Sequence, residues 1–167
     1  MNLKSNLGMY AEEMINRSKD YYLSKNTLYI EKREIPIKII KKIDEKTIVG
    51  KLCSKSFVDY FAIIKNKHVE FEVKQTNELT FPISLLKEHQ YNHLLNMSKL
   101  GIYSFIIVYF STYGKFMLID IKWLQKYIND GNKKHIDFAL IQKECIELPI
   151  VFPGILDFSI IANQIEG

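Results

Sequence analysis

From residue 68 to residue 75 the chain alternates: Val69, Phe71 and Val73 are apolar, and Glu70, Glu72 and Lys74 between them are charged. Successive side chains of a strand point to opposite faces. The segment therefore predicts a strand with one apolar face and one face carrying two carboxylates and an ammonium. Residues 57–64 read as a second strand, with Lys65-Asn66-Lys67 as a short polar break between the two. A hairpin turning at Asn66 and Lys67 pairs Ile64 with Val69 and sets Asp59 opposite Lys74, on the face of Glu72 and Lys74. A one-residue slip would send Asp59 to the other face, so the register decides whether the three converge.

The same reading extends along the chain. Residues 8–25 place Ala11, Met14, Ile15, Ser18 and Tyr22 at helical spacing and predict an amphipathic helix. Residues 27–32 alternate as a strand, Pro36 breaks the next segment, and Ile37 and Ile39 flank Lys38 in a further strand. Residues 44–55 are polar and lysine-rich and contain Gly50, yet Ile48, Val49 and Leu52 let them form a short protruding stalk. After Thr80-Phe81-Pro82 a helix runs from about Ser84, its candidate N-cap, to Leu100, with Gly101 as its stop. Residues 103–110 form a buried strand, 111–114 a turn, 115–120 a strand, and 123–130 a helix ended by Gly131; an apolar tail closes the domain. This order of elements predicts an α/β (α+β) fold: a mixed β-sheet flanked by helices, with residues 1–167 as a single domain.

Composition narrows the class. At 167 residues and 47% apolar, the chain can bury one ordinary core. The start of the chain is polar with no apolar stretch behind it, and the apolar run 101–110 is half a membrane span, so a soluble cytoplasmic protein is expected, with no membrane partner. Cys53 and Cys145 are far apart and form no CxxC pair, which fits a reducing compartment and argues against a zinc site. A net charge of +4 is compatible with a polyanionic partner without demanding one. Lys38, Lys41, Lys42, Lys51, Lys55, Lys65 and Lys67 share the half of the chain that holds the carboxylates, although a solvated lysine surface looks the same.

The candidate chemistry follows from residue type. Asp59, then Glu72 and Lys74 as Glu-x-Lys, then the amide of Gln90 supply hard oxygen ligands for a divalent cation with an ammonium beside them. Metal-dependent hydrolysis of a phosphodiester needs such a set. Each member alone has an ordinary reading. Asp59 suits a strand end, Glu-x-Lys a solvated charge ladder, Gln90 a helix surface, and Glu12 the positive end of a helix dipole. His89 and His93 stand at i, i+4 without the intervening glutamate of a metalloprotease helix. With His68 they read as packing or DNA-contacting residues, and Tyr60, Tyr91 and Tyr113 as core or half-buried aromatics.

With these motifs placed, the chain resembles the RecU family of Holliday junction resolvases, dimeric nucleases of the restriction-endonuclease-like PD-(D/E)xK fold. The resemblance rests on Asn6-Leu7-Gly8-Met9 with Glu12 and Tyr21-Tyr22-Leu23, Ile35-Pro36-Ile37, Val58-Asp59-Tyr60, and Phe71-Glu72-Val73-Lys74-Gln75-Thr76. It continues through Phe81-Pro82, Glu88-His89-Gln90 with His93, Leu148-Pro149-Ile150 and Asp157-Phe158. Order and spacing together carry it. It implies a structure-selective endonuclease that resolves four-way DNA junctions during recombination and repair. Asp59, Glu72 and Gln90, with the Val73 carbonyl, would surround Mg²⁺ or Mn²⁺, Lys74 would stabilise the transition state, and Glu12 would stand in the outer sphere.

It also implies a homodimer, contact with a RecA-type recombinase and branch-migration machinery, and phosphate contacts by Lys51, Lys55, Lys65 and Lys67. Two positions depart from the pattern. Phe57 stands where the family has a threonine that helps hold the metal, and Leu7 where it has an arginine. The stalk segment is also several residues short. A missing oxygen at Phe57 favours Mn²⁺ over Mg²⁺ and is the feature behind an alternative, a non-catalytic junction-binding protein that modulates a recombinase. A restriction-type enzyme cutting linear duplex would need base-edge readers that two arginines scarcely supply.

Overall fold

The computed structural model describes residues 9–34, 36–53, 58–131 and 133–166. In chain order the elements are α1 (Met9–Ser24), β1 (Leu28–Lys32), β2 (Ile37–Lys42), β3 (Ile48–Leu52), β4 (Tyr60–Ile64), β5 (Lys67–Thr76) and β6 (Thr80–Pro82). A 3-10 turn at Ile83–Leu85 leads to α2 (Glu88–Lys99), β7 (Tyr103–Phe110), β8 (Lys115–Asp120), α3 (Ile121–Asn129), β9 (His135–Asp137) and α4 (Phe138–Glu144). The chain closes with β10 (Ile146–Leu148), β11 (Ile150–Val151), β12 (Ile155–Leu156) and α5 (Ser159–Glu166).

Six strands make one mixed sheet in the order β1-β4-β5-β7-β8-β10. All neighbours are antiparallel except β5 and β7, whose connection through α2 is long enough for a parallel crossover. Alternation sorts the side chains into two cores. Phe71, Phe105, Phe116 and Leu118 pack with Ile15 of α1 and with Phe158 and Ile161. Ile106, Val108, Met117 and Ile119 pack on the other face with Leu94, Leu124 and Ile141 of α2, α3 and α4. Each fully buried side chain of this size is worth about 1.5–3 kcal/mol, and the apolar periodicity is what places them. The expected mixed sheet flanked by helices is what forms. Among the described residues no helix is long and apolar enough to cross a membrane.

The β4–β5 register differs from the expected one by two residues. Tyr60 pairs with Phe71, Ala62 with Val69 and Ile64 with Lys67. The turn residues are Lys65 and Asn66, at φ 49° and 64°. These are the two left-handed positions of a two-residue turn whose twist matches its strands. Asparagine adopts that conformation easily and lysine rarely does, so the residue pattern did not point to Lys65. Carried one step past Tyr60, the register sets Asp59 across from Glu72 rather than Lys74. Two residues preserve parity, so Asp59 keeps the face that Glu72 and Lys74 occupy.

The helix expected from Ser84 starts at Glu88, because the Ile83 N–H is committed to the Lys134 carbonyl (3.0 Å) and residues 83–85 close a 3-10 turn. Its end is as expected, with Gly101 at φ 86°. The helix expected at 123 begins at Ile121, because Asp120 caps it by accepting from the Lys122 and Trp123 N–H groups (2.6 and 3.4 Å). The short α4 carried no distinct signal in the sequence.

β2 and β3 form a two-stranded sheet of their own. This arm starts at Ile37, so it takes in the strand before the segment 44–55 as well as the turn and strand within it. Asp44 fixes the tip, its Oδ1 accepting from the Lys46 and Thr47 N–H groups at 2.8 Å each. Gly50 lets the strands close, since a Cβ there would meet Ile37 Cγ2 at 2.3 Å. Every strand residue is exposed, including Ile37, Ile39, Ile40, Ile48, Val49 and Leu52.

Candidate active site

β5 carries the site at the middle of the sheet. The Glu72 side chain is completely buried on the face toward α2. Its Oε1 accepts from Lys74 Nζ (2.6 Å) and Gln90 Nε2 (2.6 Å), and its Oε2 from the Asp59 backbone N–H (3.0 Å). Burial pushes its carboxyl up to about 7; Lys74 opposes this, and the Asp59 carboxylate reinforces it. Three of roughly four acceptor positions are filled, which leaves capacity on Oε2, the oxygen beside Asp59.

Gln90 reaches Glu72 from the first turn of α2, and its Oε1 accepts from the Lys87 N–H (3.2 Å). The amide thus turns its NH₂, not its oxygen, toward Glu72. In this geometry it orients the carboxylate. Asp59, Glu72, Lys74 and Gln90 are brought together as the sequence suggested.

Two residues back on the same face, the buried Glu70 organises a second polar cluster that sequence reasoning missed. Arg33 donates to both of its oxygens, with one contact at 3.2 Å, and His93 and His68 add two more, the latter at 3.0 Å. Burial alone would raise this carboxyl, but the hydrogen bonds from Arg33, His68 and His93 outweigh it and hold Glu70 at about 2. Arg33 also donates its backbone N–H to the Asp59 carbonyl (2.7 Å), fastening the end of β1 to the start of β4. Alternation had set Glu70 on the face of Glu72; its partners come from β5 itself, from just past β1 and from α2.

On the α1 face Glu12 is bound by Lys32 Nζ (2.6 Å). Lys32 is the cross-strand neighbour of Tyr60 and lies 5.8 Å from its ring centre. Tyr60 is fully buried and stacks on Phe71, with centroids 5.2 Å apart.

Lys65 and Lys67, named for DNA contact, are not gathered here. They lie at the opposite end of the β4–β5 hairpin, about 20 Å of strand from Asp59, and Lys67 Nζ donates to the Ile165 carbonyl (2.7 Å). Lys51 is exposed on the arm opposite Lys38. Leu7, Lys55 and Phe57 lie outside the described residues.

Asp59 and Glu72 offer hard carboxylate oxygens, and a carboxyl raised by burial, with a second carboxylate beside it, is the kind of group a divalent cation relieves. The described residues contain no ready-made cluster of three His, Cys, Asp or Glu side chains for a metal. A cation held by Asp59 and Glu72 would take its remaining ligands from amide, main-chain or water oxygens, as Mg²⁺ commonly does.

Known proteins match along nearly the whole chain. Holliday junction resolvase RecU of Ureaplasma parvum is 36% identical over 166 residues, 99% of this chain and 96% of that protein. The resolvases of the same name from Mycoplasmopsis pulmonis and Oceanobacillus iheyensis are 32% and 29% identical, over 93% and 92% of this chain and 93% and 83% of theirs. A solved structure of Hjc, a Holliday junction resolvase of Archaeoglobus fulgidus, aligns with 90% of this chain and 98% of that one at a TM-score of 0.49 and 13% identity. The family model described as RecU, Recombination protein U, covers residues 6–164, and with the relatives it shows that this chain belongs to the RecU family.

Proposed function

We propose that this protein is a divalent-metal-dependent endonuclease that resolves four-way DNA junctions. The observation that carries the reading is the convergence of the Asp59 N–H, Lys74 and Gln90 on the buried Glu72 carboxylate in a chain of this family. Asp59 and Glu72 would hold Mg²⁺ or Mn²⁺, which when bound lowers the pKa of a water and offsets charge on the scissile phosphate.

The chain's own residues do the rest. Gln90 and the Asp59 N–H fix the Glu72 carboxylate in one orientation, so little reorganisation is left for the reaction. Lys74, mostly buried with its ammonium on Glu72, stands ready to neutralise charge that develops on the phosphate. The Arg33–Glu70 cluster keeps β1, β4 and α2 at fixed spacing around the site.

The arm supports the choice of DNA as partner. Between residues 37 and 53 it holds five lysines against two acidic residues. Lys38 and Lys51 stand directly across from one another, a like-charge pair that costs stability unless an anion lies over it. The arm springs from the strand ends beside Asp59, so it would enter the open centre of a junction while phosphates reach the site. Incising two opposed strands takes two sites, which makes a two-fold homodimer the working form. The further partners in this reading, a RecA-type recombinase and branch-migration machinery, are testable by pull-down.

The deciding assay incubates the protein with labelled junction and linear duplex in Mg²⁺, Mn²⁺ or EDTA. Symmetric incision of the junction, lost in EDTA and in Asp59→Ala and Glu72→Ala variants that still bind it, is the expected result. Binding without incision in either metal would replace this reading with that of a junction-binding protein.

A further inference from the structure

Asp59 stands just outside the ladder that holds its strand. The last pair between β1 and β4 is Lys32 with Tyr60, and Asp59 comes one residue before β4 begins. A cation ligand at a strand end keeps its place only if contacts beyond the ladder fix its main chain. Two do so: the Asp59 N–H donates to Glu72 Oε2 (3.0 Å), and its carbonyl accepts from the Arg33 N–H (2.7 Å). Arg33 itself lies past the end of β1, and its side chain ties it down. One guanidinium nitrogen donates to each oxygen of Glu70, the group lies 5.6 Å from the Phe61 ring centre, and His93 Nε2 stands 3.5 Å from Nη1.

These contacts close a ring. It leaves β5 at the Glu70 carboxylate, runs through the Arg33 side chain to its N–H, crosses to the Asp59 carbonyl, and returns from the Asp59 N–H to Glu72, two residues from its start. Both ends of the ring sit on one face of the central strand. α2 braces them with side chains three residues apart, Gln90 on Glu72 and His93 on Glu70. A buried ion pair is a costly way to gain stability, and apolar side chains of similar size commonly serve the fold as well. What they do not supply is direction. The planar fork of arginine on a carboxylate fixes orientation as well as distance, where a lysine offers one point charge.

We propose that Arg33 and Glu70 are positioning residues that set where the Asp59 carboxylate stands relative to Glu72, and thereby favour a small, strictly octahedral cation over a larger one. The inference rests on Asp59 and Glu72 as the cation site. Mg²⁺ demands short bonds in near-ideal geometry, whereas Ca²⁺ accepts longer and more variable ones. Two carboxylates held at one spacing suit the first, and a pair whose spacing drifts loses Mg²⁺ before Ca²⁺. Neither Arg33 nor Glu70 touches the cation; each acts through Asp59.

The test uses the full-length protein without DNA. Bound Mn²⁺ is read from the loss of the free-ion magnetic resonance signal, Mg²⁺ and Ca²⁺ affinities from the concentrations that displace it, and stability from thermal unfolding in EDTA. The double variant Arg33→Met, Glu70→Leu replaces the pair by apolar groups of similar size, and its melting temperature should stay close to wild type. Its Mg²⁺ affinity should fall about tenfold, as when a residue behind a metal ligand is lost, and its Ca²⁺ affinity by less than about threefold. Arg33→Lys keeps the charge without the fork, and should lower the ratio of Mg²⁺ to Ca²⁺ affinity about threefold.

An unchanged ratio in Arg33→Lys overturns the proposal, and that variant decides alone should the double variant fail to fold. An equal fall for both ions in the double variant overturns it too, since the pair would then support the fold and not the spacing. If wild type binds Mn²⁺ no better than Asp59→Asn, the cation site itself has failed and this inference falls with it; tight, Asp59-dependent Mn²⁺ binding with an unshifted ratio in the variants sinks this inference alone.

Discussion

Replacing Glu72 by glutamine isolates the electrostatic cost of burying this carboxylate beside Asp59. The carboxyl has an ordinary value of 4.5, and burial, with Asp59 alongside and Lys74 only partly offsetting, lifts it to about 7. A folded-state value above the unfolded one means the native protein holds the proton more tightly. The associated stability is fully present below about pH 4.5 and is lost as pH rises to 7. Its size is about 3 kcal/mol, from about 1.4 kcal/mol per pH unit of displacement. Glutamine has no proton to lose, so its curve lacks this fall. Its amide oxygen can still accept from Lys74 and Gln90 while its NH₂ faces the Asp59 carboxylate, though the Asp59 N–H then loses its acceptor. The readout is therefore the slope and not the level. Urea unfolding in EDTA at pH 5, 6, 7 and 8 should show the wild type losing stability relative to Glu72→Gln. The difference cancels the histidines, which titrate in both proteins. Parallel curves would show that Glu72 does not exchange its proton in this range, and would refute the account of the site as a destabilised carboxylate awaiting a cation.

Other consequences follow from the neighbouring elements. Glu70 has the opposite sign: its carboxyl sits at about 2, so it contributes about 3 kcal/mol above pH 4.5 that is lost as pH falls toward 2; acid unfolding of Glu70→Gln should show a correspondingly shallower loss. Arg33→Ala leaves that buried carboxylate without its strongest partner and should cost about 3–5 kcal/mol in chemical denaturation at pH 7, unlike Arg17→Ala, whose exposed pair with Glu13 should matter by less than about 1 kcal/mol. Replacing residues 37–52 by a short Gly-Ser turn removes no core residue, so the melting temperature should hardly move while junction binding falls far more than linear-duplex binding; an equal fall for both DNA forms would reduce the arm to an electrostatic patch.

Much of the site could be read from residue order because its central element obeys a local rule. Period-two alternation gave the face shared by Glu70, Glu72 and Lys74, and parity kept Asp59 with them although the turn was misplaced by one residue and the register by two. The misplacement came from Lys65, whose left-handed backbone no side-chain pattern announces. The start of α2 was hidden for a similar reason: Ser84 is a good cap in isolation, but the Ile83 N–H is claimed by a carbonyl some fifty residues away. The contacts of Arg33 and His93 with Glu70 became visible only when separate strands and helices met. The arm shows a different limit: the stalk was expected only from residue 44, and nothing in the alternation of Ile37 and Ile39 tells that their strand belongs to the arm, where both are exposed.

β5 lies between two partners and is covered on both faces, whereas β2 and β3 pair only with each other among the described residues. In native-state hydrogen exchange the amides of residues 69–73 should open only with the whole domain, and those of the arm through local fluctuations of much lower free energy. Chemistry and target choice would then reside in different cooperative units. Sequence drift in the arm can retune which DNA shapes are engaged with no penalty to the catalytic strand, while drift along β5 is answerable to folding and catalysis at once. Variation among relatives should therefore concentrate in the hairpin, and a chimera carrying another relative's arm on this sheet should keep its cleavage rate while changing its substrate range.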